Sequence, residues 1–380
     1  MLKKLREWQT SNWHLGVNAV IVFAVISLTI VGLVTLASAS QSFSAERQNI
    51  FLKQTIALTL ATIAGIVLMF VDIEKIKKYA YVVAAGALLA LVLVLIPGIG
   101  KSVNGAQRWI GLGVINVQPS DLAKIALVLV LARYLSDNQR RIDSFLHGYI
   151  LPGIWIGVFC ILVLVEPDFG TAFLCGCVGL GLLFLSGARL IYLLPSLFGA
   201  VFLFSVAVFF DPIRLKRITA FLDVEGNKSD GAYQLWQGIL AFGAGGLYGE
   251  GLGQGRQQMA FLPEAHNDFI FPVIGEELGF FFTAGIAILF LMIFIVGYIS
   301  LKNAPTLYHF ILVAGALFFI VFQALINMGV VTGLLPTKGM SLPFISYGGS
   351  NLIVMYSFVG LILNVFRNWA KSPLPMAREL

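Results

Sequence analysis

Charge is scarce in this 380-residue chain: 12% of its residues are Asp, Glu, Lys or Arg, 58% are hydrophobic, and mean hydropathy is +0.90. Soluble domains carry about a quarter charged residues, so this shortage excludes a water-soluble globule. Cysteine is nearly absent. Cys160, Cys175 and Cys177 all lie inside apolar runs, which leaves neither a disulfide framework nor zinc-ligand spacing. The basic excess is only +6, and its Lys and Arg residues are scattered between apolar runs without forming a stripe, which argues against nucleic acid as a partner. No internal repeat or inverted symmetry is visible, which weighs against a secondary transporter.

What the chain has in quantity is apolar runs near the length of a bilayer crossing, about 20 residues. They predict an all-α polytopic membrane protein, a single integral-membrane domain over 1–380, with ten helices at roughly 15–38, 50–71, 79–97, 119–135, 149–166, 169–187, 190–210, 269–299, 307–331 and 347–367. Ala37-Ser38-Ala39 resembles a signal-peptidase site, but the run before it is longer than a signal segment, so it reads as an uncleaved first span. One side receives Lys3, Lys4, Arg6, Lys75, Lys77, Lys78, Arg133, Arg140, Arg141, Arg189, Lys302, Arg367, Lys371 and Arg378. The other receives only Arg47, Lys101, Arg108 and Lys338 among its short loops. The positive-inside rule then puts both termini in the cytoplasm and the unusual polar loops outside, including a large one at 211–268 between helices 7 and 8.

Within that frame, Leu262 to Gly279 concentrates Glu264, His266, Asp268, Glu276 and Glu277 at the mouth of an apolar run, where charge is disfavoured unless a partner or a function holds it. Pro272 fits a helix best in its first turn, so helix is predicted to begin near Phe269 to Phe271 with Asp268 at its N-terminus. If 262–268 is extended, Glu264, His266 and Asp268 share one side. Asp268 is then either an N-cap in a polar lip or a reactive carboxylate, and spacing leaves both open.

Other outer loops add candidates. Lys101 and Arg108, beside Trp109, suit lipid headgroups or a substrate phosphate. Asp121 and Lys124 sit three apart near the outer end of a helix and can pair there, as structure or as function. Glu166 to Thr171 reads as a tight turn in which Asp168 caps the next helix. Arg214, Lys216 and Arg217 form a cationic cluster, 233–242 reads as a helix lying in the interface, and Gly249 to Gly255 reads as a flexible loop. No strand precedes that glycine run, so it is no dinucleotide fingerprint. Lys338, alone among prolines and glycines in the loop ending at Ser346 to Ser350, points to a polar cavity.

Six motifs then stand in order along the chain: Gly105-Ala-Gln-Arg-Trp109, Gln118-Pro-Ser-Asp-Leu-Ala-Lys124, Glu166-Pro-Asp-Phe-Gly-Thr171, Leu262-Pro-Glu-Ala-His-Asn-Asp-Phe-Ile-Phe271, Gly275-Glu-Glu-Leu-Gly279, and Leu335-Pro-Thr-Lys-Gly339 with Ile345-Ser-Tyr-Gly-Gly-Ser350. Together they resemble the SEDS family of bacterial peptidoglycan glycosyltransferases, its cell-division branch more than its elongation branch. The resemblance implies ten membrane helices, lipid II as substrate, polymerisation at the outer face of the cytoplasmic (inner) membrane at the division septum, and a class B penicillin-binding protein as partner among other division proteins. It places the family's essential aspartate on Asp268, its acid and lysine pair on Asp121 and Lys124, and its outer-loop lysine on Lys338. Asp121 stands where many members have glutamate, and Pro272 where a small non-proline residue is common.

Such a reaction needs a base for the attacking sugar hydroxyl and positive charge for the departing diphosphate. Asp268 is the candidate catalytic residue. Lys338, Arg108, Lys124, Asp121, Arg217, Glu264, His266 and Ser346 are candidates for substrate binding. Asp268 is also a candidate ligand for Mg²⁺ or Mn²⁺. A lipid II flippase and a noncatalytic division scaffold are the competing readings.

Overall fold

The computed structural model describes residues 2–41, 45–103, 106–113, 115–255 and 266–369. Its helices are α1 (Leu2–Gln41), α2 (Ala45–Phe70), α3 (Ile73–Val94), α4 (Pro119–Asp137), α5 (Leu151–Val165), α6 (Phe169–Leu185), α7 (Leu190–Phe209), α8 (Pro212–Leu222), α9 (Tyr233–Gly245), α10 (Ile270–Leu301), α11 (Leu307–Val331) and α12 (Gly349–Trp369). Each of the ten apolar stretches holds a helix. Among the described residues, seven helices are long and apolar enough by length and composition to cross a membrane, and α6 and part of α7 are shorter apolar helices.

The centre of the bundle is α4, α11 and α12. Apart from Asp121 and Lys124, the buried residues of α4 form an almost unbroken apolar series from Ala123 to Leu135, as expected for a helix covered on all sides. Around it, exposed Phe23, Ile26, Ile63, Val82 and Ile161 form the outward apolar surface a lipid-facing wall requires. The α2–α12 crossing is made by glycines: a Cβ on Gly360 would strike the Gly65 carbonyl, so the two backbones touch. Asn364 seals this crossing by donating to the Leu68 and Val71 carbonyls, 2.6 Å each.

Four sequence expectations are corrected. First, the fold is not purely helical. β1 (Gly100–Val103), β2 (Ala106–Leu112) and β3 (Ile115–Val117) form an antiparallel sheet in the order β1-β2-β3, with Lys101 opposite Trp109 and Leu112 opposite Ile115. The β-branched and aromatic residues at 103, 109, 110, 115 and 117 favour strand pairing. Second, α9 does not lie free in the interface. Leu235, Gly238, Ala241 and Gly245 are buried, a Cβ on Gly245 would strike the Gly275 carbonyl, and Phe242 meets Phe271 edge-on at 5.7 Å, all against the start of α10.

Third, residues 266–269 form a turn rather than a strand, so His266 and Asp268 are not aligned by a two-residue repeat; Glu264 lies outside the described residues. Fourth, α10 is broken at Gly279 (φ 79°, ψ −177°), and the glycine loop docks on the break. Phe280 N donates to the Gly246 carbonyl (2.9 Å), Glu250 N to Glu276 (2.9 Å) and Gly251 N to Glu277 (2.9 Å). That loop is therefore fixed backbone that satisfies a broken helix.

Candidate functional site

Helix α10 begins at Ile270 with Pro272 in its first turn, as the missing proline N–H favours, and Asp268 lies just before it. Asn327, buried in α11, ties this corner down: its Nδ2 donates to the Asp268 carbonyl at 2.8 Å and to the Met340 carbonyl at 2.6 Å. Tyr347 N donates to the His266 carbonyl at 2.9 Å, and the two rings lie 5.8 Å apart. The Asp268 turn and the 338–348 loop are thus one unit. Within it, the Asp268 carboxylate lies against Gly339, where a Cβ would collide with Oδ2, and Lys338 is the next residue.

Lys338 reaches toward the start of α6. Its Nζ is 5.3 Å from the centre of the Phe169 ring, and its stem lies over Gly170, where a Cβ would come within 2.6 Å of Cε. Asp168 caps α6 as expected, accepting from Thr171 N (3.2 Å) and Thr171 Oγ1 (2.8 Å), and also from Gln118 Nε2 (3.0 Å). Ser120 and Gln118 lead to Asp121 in the first turn of α4. There Lys124 Nζ donates to Asp121 Oδ1 at 2.7 Å, to Gln323 Oε1 at 2.9 Å and to Asn351 Oδ1 at 3.4 Å, with both charged side chains almost wholly buried. The pair expected from sequence is present and clasps α4 to α11 and α12.

Other candidates have structural placements. Arg108 donates from Nε to the Glu166 carbonyl (2.8 Å) and from one terminal nitrogen to the Pro167 carbonyl (2.5 Å), which fastens β2 to the 166–168 turn. Ser346 is buried and its Oγ accepts from Leu342 N at 2.7 Å, an intraloop turn. Arg217 is exposed on α8 and, among the described residues, no hydrogen bond or ion pair joins it to Asp268 or Lys338. Among the described residues no three His, Cys, Asp or Glu side chains gather around a metal-sized position.

Sequence reasoning passed over Gln323, Asn327 and Asn351, which hold the site together. Their signal was available: polar amides are costly inside apolar helices, and Gln323 and Asn327 are four apart on one face of α11. It also assigned nothing to Glu166, one residue beyond α5. That side chain is 0% exposed, and neither carboxylate oxygen has a hydrogen-bond partner among the described residues. Burial, with the Asp168 charge nearby, pushes its pKa up to about 8 against the opposing effect of Arg108.

A carboxylate at a helix mouth, a lysine in the adjoining loop and a buried polar network beneath them mark a helical membrane protein with a polar site at one end of its bundle. Residues 18–371 match the cell cycle protein family of FtsW, RodA and SpoVE, and the chain belongs to that family. It is 40% identical over 361 residues to a probable peptidoglycan glycosyltransferase FtsW of Geobacter metallireducens, covering 94% of this chain and 96% of that one. It is 39% identical over 375 residues to the probable FtsW of Coxiella burnetii, with 95% and 98% covered. Among solved structures, a chain of a peptidoglycan synthase complex that coordinates polymerization and crosslinking superposes with a TM-score of 0.76 at 28% identity, covering 92% of this chain and 97% of that one. Thermus thermophilus RodA superposes at 0.69, also at 28% identity, with 92% and 96% covered.

Proposed function

We propose that this peptidoglycan glycosyltransferase polymerises lipid II at the outer face of the cytoplasmic membrane, in septal wall synthesis, with Asp268 as its catalytic carboxylate. The observation that carries the assignment is the joining of Asp268 and Lys338 in one unit, carboxylate against Gly339, by the Asn327 clamp. In the reaction a sugar hydroxyl attacks the anomeric carbon of a neighbouring lipid-linked sugar. The new C–O bond forms as the bond to the polyprenyl diphosphate breaks. Asp268 takes the hydroxyl proton, and the ammonium of Lys338 meets the charge gathering on the diphosphate. Asp121 and Lys124 neutralise one another beneath this point and act as positioning residues, which does not suit them to carry a substrate across. Arg108 holds the turn at the head of α6 and so aligns the surface Lys338 rests on.

The ten apolar helices α1 to α7 and α10 to α12 are the ten spans, with 211–268 as the outer segment between the seventh and eighth. Lys77, Arg133, Arg140, Arg141, Arg189 and Lys302 lie at the ends opposite Asp268, which supports a cytoplasmic location for both termini. Polymerised strands require crosslinking, and similarity to a chain of a synthase complex that couples the two supports a class B penicillin-binding protein as partner. Other division proteins join it at the septum. For Mg²⁺ or Mn²⁺, Asp268 would supply one carboxylate ligand, and waters and the substrate diphosphate would complete the shell of such a hard cation. No step here runs through a metal.

Asp268→Asn keeps the shape and removes the base. Glycan formation from labelled lipid II by the purified variant with its transpeptidase partner should fall by about two to four orders of magnitude. Near-normal strands from a correctly assembled variant complex would sink the assignment and restore the flippase or scaffold reading.

A further inference from the structure

At the end of the bundle away from Asp268, the segment joining α4 to α5 and the start of α7 border an open surface cleft of about 570 Å³ lined by exposed Arg140, Arg141 and Arg189, with Asp143, His147 and Tyr192. Its backbone is tightly built. Arg141 N donates to the Asn138 carbonyl (2.9 Å), Ser144 N to Arg141 (3.0 Å) and Gly148 N to Ser144 (2.8 Å). Tyr134 Oη donates to the His147 carbonyl (3.1 Å), and a π turn at Leu146–Ile150, a form concentrated at functional sites, leads into α5. A Cβ on Gly148 would strike the Ile142 carbonyl, so this path admits only glycine there.

None of that architecture uses the guanidinium groups. Arg140 and Arg141 make no hydrogen bond or ion pair among the described residues, and Arg189 has only an exposed contact with Asp143 at 3.6 Å. Three guanidiniums against one carboxylate leave a net charge of about +2 over a backbone held by those hydrogen bonds. Phe145 and Tyr192 line one side and, with Tyr149, form a cluster of rings 5.0 to 5.9 Å apart. Next to the charges, Leu146, Leu190 and Ile191 are more than half exposed, an apolar rim continuous with the lipid-facing wall. Orientation alone asks for basic residues on this side and would be met by arginines anywhere. It does not account for a built cleft with unpaired forked donors above an apolar rim.

We propose that this cleft binds the headgroup of an anionic phospholipid of the inner leaflet, a two-phosphate lipid of the cardiolipin type in preference to one with a single phosphate. Two phosphodiesters match the net charge, guanidinium forks match phosphate oxygens, and the acyl chains lie along the apolar rim. An acidic peptide would match the charge but leave that rim bare. The leaflet rests on the orientation proposed above, whereas the binding itself does not.

The test uses the full-length protein in nanodiscs of phosphatidylcholine containing a trace of fluorescent cardiolipin, with phosphatidylglycerol and inorganic phosphate as competitors. Wild-type protein should bind cardiolipin more tightly than phosphatidylglycerol, and millimolar inorganic phosphate should not displace it. The triple variant R140Q/R141Q/R189Q should bind on the order of a hundredfold more weakly, since each basic residue near an anionic lipid contributes about fivefold. R141Q alone should lose about fivefold and covers the case in which the triple variant does not fold. K302Q, at the same end but outside the cleft, should bind normally, and none of these changes should alter polymerisation of lipid II. Equal binding by wild type and R141Q, displacement by inorganic phosphate, or equal retention of phosphatidylcholine would overturn the proposal. A reversed orientation would show separately, as reaction of a cysteine at Asn138 with an impermeant reagent from outside, with binding unchanged.

Discussion

Replacing Lys124 with methionine tests how this chain holds charge in its core. Methionine keeps the length of the side chain and removes its three donors. In the structure those donors meet Asp121 at 2.7 Å, Gln323 at 2.9 Å and Asn351 at 3.4 Å, and Asp121 is only 4% exposed. Its carboxylate would be left in an apolar bundle without a counter-ion, and removing one partner of a buried pair costs about 3–5 kcal/mol. At about 2 °C per kcal/mol for a large domain, the midpoint of thermal unfolding in detergent should fall by roughly 6–10 °C. The double variant Asp121→Asn/Lys124→Met removes the orphaned charge as well, and a neutral amide costs far less to bury than a carboxylate, so most of that loss should return. Unfolding followed by intrinsic fluorescence, with size-exclusion chromatography as a check on assembly, gives both numbers. If the single variant unfolds within 2 °C of the parent, or if the double variant is no better than the single, the pair is not the clasp between α4, α11 and α12.

Glu166→Gln reports on the buried, unpartnered carboxylate. Its pKa is raised from 4.5 to about 8, so the stability associated with the neutral form is complete below about pH 4.5 and lost as pH rises through about 8. The glutamine variant should therefore match the parent near pH 5 and exceed it by on the order of 2–4 kcal/mol at pH 9, read as a rising gap in unfolding midpoint; a constant gap would contradict it. Lys338→Met should cut polymerisation severely while Lys338→Arg, which keeps the charge and changes donor geometry, should be less damaging; normal turnover by the methionine variant would move the leaving-group role elsewhere. Gly279→Ala forces a side chain into a conformation that is essentially glycine's alone and into the backbone of Gly249, so expression of folded protein should collapse, and an alanine variant of parental thermal stability would refute the fold account of the helix break.

Much of this arrangement was legible in the chain because a membrane makes polar residues conspicuous. Asp121 and Lys124 were readable as a pair from their spacing, Asp168 as a cap from its place before a helix, and Pro272 fixed the start of α10 to within a residue. What escaped was decided by partners far away in sequence. The amides of Gln323 and Asn351 acquire meaning only when α11 and α12 meet α4. The 166–167 carbonyls that Arg108 holds and the Leu342 N–H that Ser346 accepts from were likewise invisible until the chain folded back on itself. The small sheet was missed for a different reason. Its strands are only three to seven residues long, and expecting every segment to be span or loop left no place for Asn104-Gly105, a dipeptide that marks a hairpin between strands.

The break at Gly279 explains why the glycines at 246–255 stand so far in sequence from the residues they serve. An unbroken helix would satisfy its own backbone and carry Asp268 rigidly with the long span that follows. Here the span is cut at Gly279, about three turns below Asp268, and groups freed by the cut are met from outside: Phe280 N by the Gly246 carbonyl, Phe281 N by Leu247, and the Glu276 and Glu277 carbonyls by Glu250 N and Gly251 N. Each such group left unmet in an apolar medium would cost several kcal/mol, so the loop is as necessary to α10 as its own turns. Backbone must come within hydrogen-bonding distance of backbone for this, and a Cβ on Gly249 would strike the Glu277 carbonyl, which is why glycine recurs. Glu277 completes the join, its Oε1 accepting from Ser38 Oγ of α1 at 2.8 Å and from Gly253 N at 2.9 Å. The short half-helix under Asp268 is therefore positioned by α1, α9 and the glycine loop, and not by the span that continues its sequence. A change at 246–253 should therefore reach Asp268, the proposed catalytic carboxylate, through that half-helix.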